Sequence, residues 1–357
     1  MAIERALFYL LKQQSPSGRF DSMAAHSINC INDDFESFDK THQKAWVTTD
    51  NFSIFPSLLI SACLQQIPNP YQNHHSQIIL QKLYGYILAH RRPSGLWNHF
   101  ESHTNQFRVC PHDIDSTAYA AAVLHHANLL TNPPNSIIAK HINKAQLFYT
   151  FFTFRAQINT SLTYWWVCLR EALHPIYSYF FWRKLESKRN DIDAVVNANV
   201  LYYLGPSKIA KAPLQWIIEC IQNGKENTMD KWYKNPMVIY YFITRLLNRG
   251  FNEVLQTKSL IMNHIDTFTQ TNGSINHKAL DTALAINVLL NVNESVHRIK
   301  PMVDYLLNTQ EPDGEWPARV VYTGGHKRIM GWGGTSLTTA ICLEALSRFA
   351  DRFPNHI

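Results

Sequence analysis

Two kinds of apolar block alternate along the chain. Blocks of the first kind are hydrophobic on nearly every face and begin near Asp50, Asp113, Asp191, Asn235, Leu280 and Gly333. A helix that is apolar all round is a buried one, and the Asp, Asn or Thr heading most of these blocks suits an N-cap. Blocks of the second kind carry charge on one side and run near Ile3–Gln13, Gln77–His90, Lys140–Phe154, Pro213–Gln222, Asn252–Thr269 and Val296–Asn308. Short connections make sequence neighbours antiparallel. An inner ring of buried helices inside an outer set is the closed way to stack such pairs. The pattern therefore predicts an all-α fold, an α/α toroid of six inner and six outer helices. No Pro/Gly/Ser-rich linker divides residues 1–357, so one toroid domain is expected rather than two helical domains.

Several outer helices end in a common turn. It reads Gln14-x3-Gly18-Arg19-Phe20 and Gln310-x3-Gly314-Glu315-Trp316, with a variant lacking Gln at Arg91–Trp97 and a degraded copy at Gln270-x2-Gly273-Ser274-Ile275. Glycine closes a helix in the left-handed conformation. The glutamine amide can bond free backbone groups at a helix end, while the ring covers the next repeat. Trp97 and Trp316 are accordingly assigned to structure.

Composition narrows the class. With 46% hydrophobic and 17% charged residues, the chain is not a disordered one, and 13 glycines exclude a collagenous repeat. No apolar run reaches the roughly 18 residues of a spanning helix. The first residues, with Glu4 and Arg5 before Leu7, Phe8, Leu10 and Leu11, read as an amphipathic helix and not as an export signal. Six scattered cysteines form no C-x-x-C pair, which argues for a reducing compartment, here taken as cytoplasmic. The net charge of +6 is spread out, and the one dense basic stretch (Arg183, Lys184, Lys188, Arg189) reads as a solvated loop. A nucleic-acid partner is not expected.

The turns between alternating helices resemble the QW repeats of the squalene-hopene and oxidosqualene cyclase superfamily. These are class II terpene cyclases built from α/α toroids. The resemblance spans most of the chain but one toroid only, as in the single-domain type represented by merosterolic acid synthase. It implies proton-initiated cyclisation of a linear polyprenyl chain through carbocations, with no cofactor and no metal. The chain could be a free polyene, a prenylated arene or a prenyl diphosphate. Pro111-His112-Asp113-Ile114-Asp115-Ser116-Thr117-Ala118 is similar to the family's D-x-D-D-T-A acid motif. Carried over, Asp115 is the general acid and Asp113 its neighbouring carboxylate. Ser116 stands where many relatives have a third Asp.

Protonating an alkene demands a strong acid held neutral in an apolar cavity. Burial keeps a carboxyl protonated. The first turn of a helix then favours the carboxylate left behind, and hydrogen-bond donors strengthen the acid further. Asp113 nearby would disfavour double ionisation. The plainer reading makes both residues ordinary cap and first-turn acids. Asp191-Ile192-Asp193 echoes the motif, so Asp193 is a second candidate acid. Asn in a buried helix must find a partner; Asn197 or Asn199 would bond either Asp115 or a neighbouring helix end.

Carbocations need aromatic walls. Trp46, Phe52, Phe107, Trp165, Trp166, Tyr240, Tyr241, Tyr322 and Trp332 are candidates, against the usual role of such residues as core. Asp33-Asp34-Phe35-Glu36-Ser37 is only a fragment of a magnesium-binding D-D-x-x-D motif. Cys110, His112 and Asp113 are too crowded for zinc, and His125-His126 reads as a bonded core pair. A glycoside hydrolase or lyase on an (α/α)6 barrel, with carboxylates across a polar cleft, and a non-catalytic binding toroid are the competing functions. An apolar substrate would be loaded from a bilayer, and the aromatic stretch from Phe148 to Trp182 is the candidate peripheral membrane contact.

Overall fold

The computed structural model describes residues 2–26, 46–48, 53–155, 162–184, 188–324 and 330–356. In chain order its elements begin with α1 (Ala2–Gln13), β1 (Met23–His26), β2 (Trp46–Thr48), α2 (Phe55–Gln65) and α3 (His74–Ala89). Then come α4 (Asn105–Val109), α5 (Ile114–His126), α6 (Asn135–Lys140), α7 (Leu162–Leu173) and α8 (Pro175–Lys184). They are followed by α9 (Ala194–Leu204), α10 (Lys211–Gln222), α11 (Glu226–Met229), α12 (Pro236–Thr244) and α13 (Lys258–Phe268). The chain ends with α14 (Ala279–Asn291), α15 (Val296–Asn308), β3 (Val320–Gly324), β4 (Met330–Gly333) and α16 (Thr335–Arg352).

The fold is mainly helical, and its inner ring closes. Helices α2, α5, α9, α12, α14 and α16 each pack on the next, and α16 returns to α2. These are the six blocks that are apolar on every face, and their packing explains why: each meets ring neighbours on two sides and the outer layer on a third. Outer helix α1 lies against α16 and α3, α10 against α9, and α15 against α14 and α16. The ring thus joins the two ends of the chain.

Among the described residues, five turns between outer and inner helices share one hydrogen-bond pattern. In each, the first residue's N–H donates to the carbonyl four residues on, over 15–19, 92–96, 143–147, 270–274 and 311–315. The residue after each turn (Phe20, Trp97, Phe148, Ile275, Trp316) is fully buried. Its N–H donates to a polar side chain on the following inner helix: Ser57, Thr117, Asn197, Thr282 and Thr339 in that order, at 2.9–3.2 Å. Gln14 Nε2 bonds the carbonyls of Gly18 and Ile79, and Gln310 Nε2 those of Gly314 and Ala2, tying each turn to the next outer helix. A Cβ on Gly18 would stand 2.3 Å from the Lys82 carbonyl oxygen. Glycine there is a matter of space as well as of φ.

One expectation needs correction. The outer helix expected at Lys140–Phe154 ends at Lys140; residues 143–147 form the third turn of the series. Gln146 takes the left-handed position that glycine holds elsewhere, with φ of 63°, which hid the repeat. The helices are also joined by a four-stranded antiparallel sheet of order β2-β1-β4-β3, an addition to the helical plan. Its strands are short and rich in glycine, so no period of two is legible. Among the described residues, no helix is long and apolar enough to cross a membrane. Cys63, Cys110, Cys168, Cys220 and Cys342 are all buried.

Candidate active site

Helix α5 opens on Asp113, whose extended backbone and side chain form the N-cap: Oδ1 accepts the Ser116 N–H at 2.6 Å. Its Oδ2 is buried without a hydrogen-bond partner. Burial, with a smaller push from Asp115, raises the Asp113 pKa to about 7.

Asp115 sits in the first turn of α5, where unpaired helix N–H groups favour negative charge. Asn199, on the adjacent inner helix α9, donates from Nδ2 to Asp115 Oδ1 at 2.5 Å. Tyr233, in the loop before α12, donates its hydroxyl to Oδ2 at 2.7 Å. Burial raises the Asp115 pKa above the ordinary aspartate value, while Asn199, Tyr233 and Arg245 pull it back. Burial and the neighbouring carboxyl push the Tyr233 hydroxyl well up, so it stays a donor.

Arg245 stands behind this group. It donates to Asn199 Oδ1 at 2.5 Å and to the Tyr119 hydroxyl at 2.8 Å. Its guanidinium lies 4.4–4.8 Å from the ring centroids of Tyr119, Tyr202 and Phe242. Buried cations require such partners.

Asp113 and Asp115 face a cavity of about 470 Å³. Its walls are Phe55, Phe100, Phe151, Phe181, Trp232, Tyr233, Tyr322 and Trp332, with Val109, Cys110 and Val196 between them. Asp115 itself is half-buried. His99 stacks on Phe55 at 5.3 Å and lies edge-on to Tyr322 at 5.7 Å. Its Nε2 meets Ser53 Oγ at 3.1 Å, and burial lowers its pKa to about 4, so the imidazole is neutral.

No protein-family model and no curated protein sequence matches the chain. Solved structures do. A protein from Actinoplanes superposes with a TM-score of 0.69 at 14% identity, covering 98% of both chains. The type II terpene cyclase MstE from Scytonema gives 0.67 at 13%, covering 98% of this chain and 97% of its own. The ent-copalyl diphosphate synthase from Streptomyces platensis gives 0.57 at 14%, over 83% of this chain and 50% of its own. The chain has a type II terpene cyclase-like fold.

Within this cyclase-like toroid the sequence candidates separate. Asp115, Asp113, Tyr322 and Trp332 line the cavity, and Asn199 contacts Asp115 from behind. Asn197 does not reach the acid. Its Oδ1 accepts the Phe148 N–H and its Nδ2 donates to the Phe148 carbonyl, the docking role that Thr117 and Thr282 fill in other repeats. Asp193 likewise turns to backbone N–H groups. It caps α9 through the Val195 and Val196 N–H groups and accepts the Lys231 N–H at 2.6 Å, and it does not line the cavity. Burial and its neighbour Asp230 raise its pKa well above the ordinary value.

Among the aromatic candidates, Tyr240 is buried between layers, its hydroxyl bonded to Glu226 and His264, and Tyr241 donates to Glu344. Phe107 lies under Arg92 and against His112, outside the cavity wall. Trp165 packs on Phe154 and Tyr164, while Trp166 is exposed. Phe52 and the Asp33–Ser37 fragment lie outside the described residues; Trp46 belongs to β2, paired through its backbone with Ala25. His125 and His126 are exposed at the end of α5, not a core pair.

Sequence reasoning missed Tyr233, Arg245 and His99. Tyr233 and His99 sit in loops, where no periodicity marks which way a side chain turns. Arg245 had a readable signal: it is the one charge in the apolar run from Met237 to Leu247, and a cation there must be paired.

Proposed function

We propose that this protein is a class II terpene cyclase in which Asp115 protonates an alkene of a linear polyprenyl chain. The observation that carries the reading is the Asp115 carboxyl. It faces an aromatic cavity, has its pKa raised by burial, and is held by two neutral donors, Asn199 and Tyr233. An aromatic-lined wall supports this reading over a glycoside hydrolase, whose carboxylates would face each other across a polar cleft.

The proton moves from Asp115 to an alkene carbon, leaving a tertiary cation. Successive double bonds attack it, each forming a C–C bond and passing the charge along the folded chain. The rings of Phe55, Trp232, Tyr322 and Trp332 stabilise that charge without capturing it. Meanwhile Asn199 and Tyr233 strengthen their bonds to the new carboxylate, which is stabilisation specific to the transition state. Arg245, one residue further back, adds a favourable field.

Loss of a proton ends the sequence. In the His99 tautomer that carries its proton on Nε2, that N–H donates to Ser53 Oγ (3.1 Å), the Ser53 hydroxyl donates to the His99 carbonyl (3.2 Å), and Nδ1 is the basic nitrogen. The breaking C–H bond gives its electrons to the last alkene and its proton to that nitrogen. Product and substrate are isomers.

The test is incubation with linear polyprenes and prenylated aromatic acids, followed by a search for products of unchanged mass. Asp115→Asn should lower turnover by at least about 10²-fold with the fold intact. Full activity in that variant, or no isomeric product from any linear polyprenyl substrate, overturns the reading.

A further inference from the structure

On the Arg245 side of Asn199, a second pocket of about 50 Å³ opens between the last turns of α2, α5 and α9. Arg245, Tyr119 and Tyr202 line it, with the exposed His125, His126 and Arg249, and no described lining residue is acidic. Arg245 is only 7% exposed. Its Nη1 and Nη2 donate to the neutral oxygens of Tyr119 and Asn199, and its Nε–H has no acceptor. Glu344 on α16 feels the guanidinium, but its oxygens are taken by Tyr241 and Arg348 at 2.8 and 3.1 Å. Two hydroxyl protons are also unspent. Tyr119 accepts from Arg245 and Tyr202 from Gln66 at 3.4 Å, and neither O–H has an acceptor among the described residues. A buried cation without a counter-ion is costly, and donors around one void need an acceptor in it.

We propose that this pocket binds a small monovalent anion, of the halide or nitrate kind, which neutralises Arg245 and so tunes the acid in front of it. Volume and charge select that class. A space of about 50 Å³ takes an ion of a few atoms, or a few waters, and nothing as large as a nucleotide. Helices α2, α5 and α9 end here, each bringing about half a negative charge. Against the full charges of Arg245 and Arg249, that leaves a balance suited to one negative charge and not two. The Arg245 Nε–H and the Tyr119 and Tyr202 hydroxyls supply the hydrogen bonds. The link to Asp115 is short: Arg245 bonds Asn199, and Asn199 bonds the carboxyl. Burial raises the Asp115 pKa and Arg245 pulls against it. An anion on Arg245 offsets that pull, so Asp115 becomes a weaker acid and keeps its proton to higher pH. The other titratable groups around Asp115 are Asp113, Asp230 and Tyr233, and none of them lines this pocket.

The tuning of the acid rests on the cyclase reading, but the binding does not. Full-length protein is titrated with sodium chloride at constant ionic strength, made up with gluconate, which is too large for the pocket. The excess NMR line width of chloride is the readout. Saturable broadening that nitrate reverses is expected. Arg249→Glu should weaken the affinity by about tenfold or more, and Tyr202→Phe by about threefold or more. Both should melt like the parent in gluconate, since one side chain is exposed and the other keeps its ring. In a protein that cyclises, saturating chloride should move the descending limb of the pH–rate profile to higher pH. Asp115→Asn should bind chloride as the parent does, so saturable binding without any cyclised product keeps the site and sinks only the reaction. No excess broadening, or broadening in both variants equal to the parent's, overturns the proposal, because water alone then fills the pocket. So does a cyclising enzyme whose limb ignores chloride.

Discussion

The amide of Asn199 donates to Asp115 and accepts from Arg245. Because a guanidinium can only donate, Asn199 must turn its oxygen to Arg245 and its nitrogen to the acid. The orientation of the amide is thus set from behind. A direct Arg–Asp pair would depress the carboxyl pKa and hold it ionised. Placing a neutral amide between them leaves the acid able to keep its proton, yet gives the carboxylate a polarised donor.

Asn199→Ala should therefore act twice. Turnover is expected to fall by about 10- to 100-fold. Stability is expected to fall by about 2–3 kcal/mol, since Arg245 loses a buried acceptor. Initial rates and urea unfolding of the same preparation check both.

Tyr233→Phe removes a donor to the carboxylate without removing the ring from the wall. Turnover should fall by about tenfold or more, and the acid's pKa should rise. Because the proposed reaction starts from the protonated carboxyl, the rate is expected to decline as pH rises through that pKa. The descending limb of the variant should lie at higher pH than the parent's, which a pH–rate profile reads directly.

His99→Phe should leave substrate consumption measurable but alter where the final double bond forms, because the basic nitrogen is gone and the cation persists to lose a different proton. An unchanged product spectrum would remove His99 from the termination step.

Asp113 makes stability depend on pH. Its folded pKa of about 7 lies above the ordinary 3.8. Between those values the unfolded chain has released a proton that the folded chain retains, so stability falls as pH rises and levels off above about 7. The contribution is on the order of 4 kcal/mol across that window. Burial raises Asp115, Asp193, Asp230, Asp281 and Glu344 in the same direction. Asp113→Asn, an equally good cap, should flatten the fall in Tm between acidic and mildly alkaline buffer.

Gln146→Gly tests the hidden turn. A Gln at φ of 63° is strained where glycine is not, so the variant should be more stable by up to about 1 kcal/mol, read by thermal melting. Gly18→Ala, driving a Cβ against the Lys82 carbonyl, should be destabilising.

Much of the architecture is legible in the chain because it is written in local periodicity. A helix apolar on every face can only be buried, and six such blocks alternating with amphipathic ones leave few closed arrangements. The Gly-x-aromatic turns at Gly18, Gly95 and Gly314 are equally local, since a left-handed residue and a covering ring lie within one turn. The first turn of α5 announces itself too, by two acids at the head of a buried helix. What the sequence could not decide is which of two similar motifs faces the void. Asp115 and Asp193 both follow an Asp-Ile pair in the chain, and in the fold they differ because Asp193 spends its oxygens on the N–H groups of Val195, Val196 and Lys231. Asn197 and Asn199 are two residues apart on a helix buried all round, so only packing says which one meets the turn and which the acid. Tyr233 and His99 reach the cavity from loops with no period at all. Those assignments depend on distances across the ring, between residues as far apart as Asp115 and Tyr233, and such distances exist only once the ring has closed.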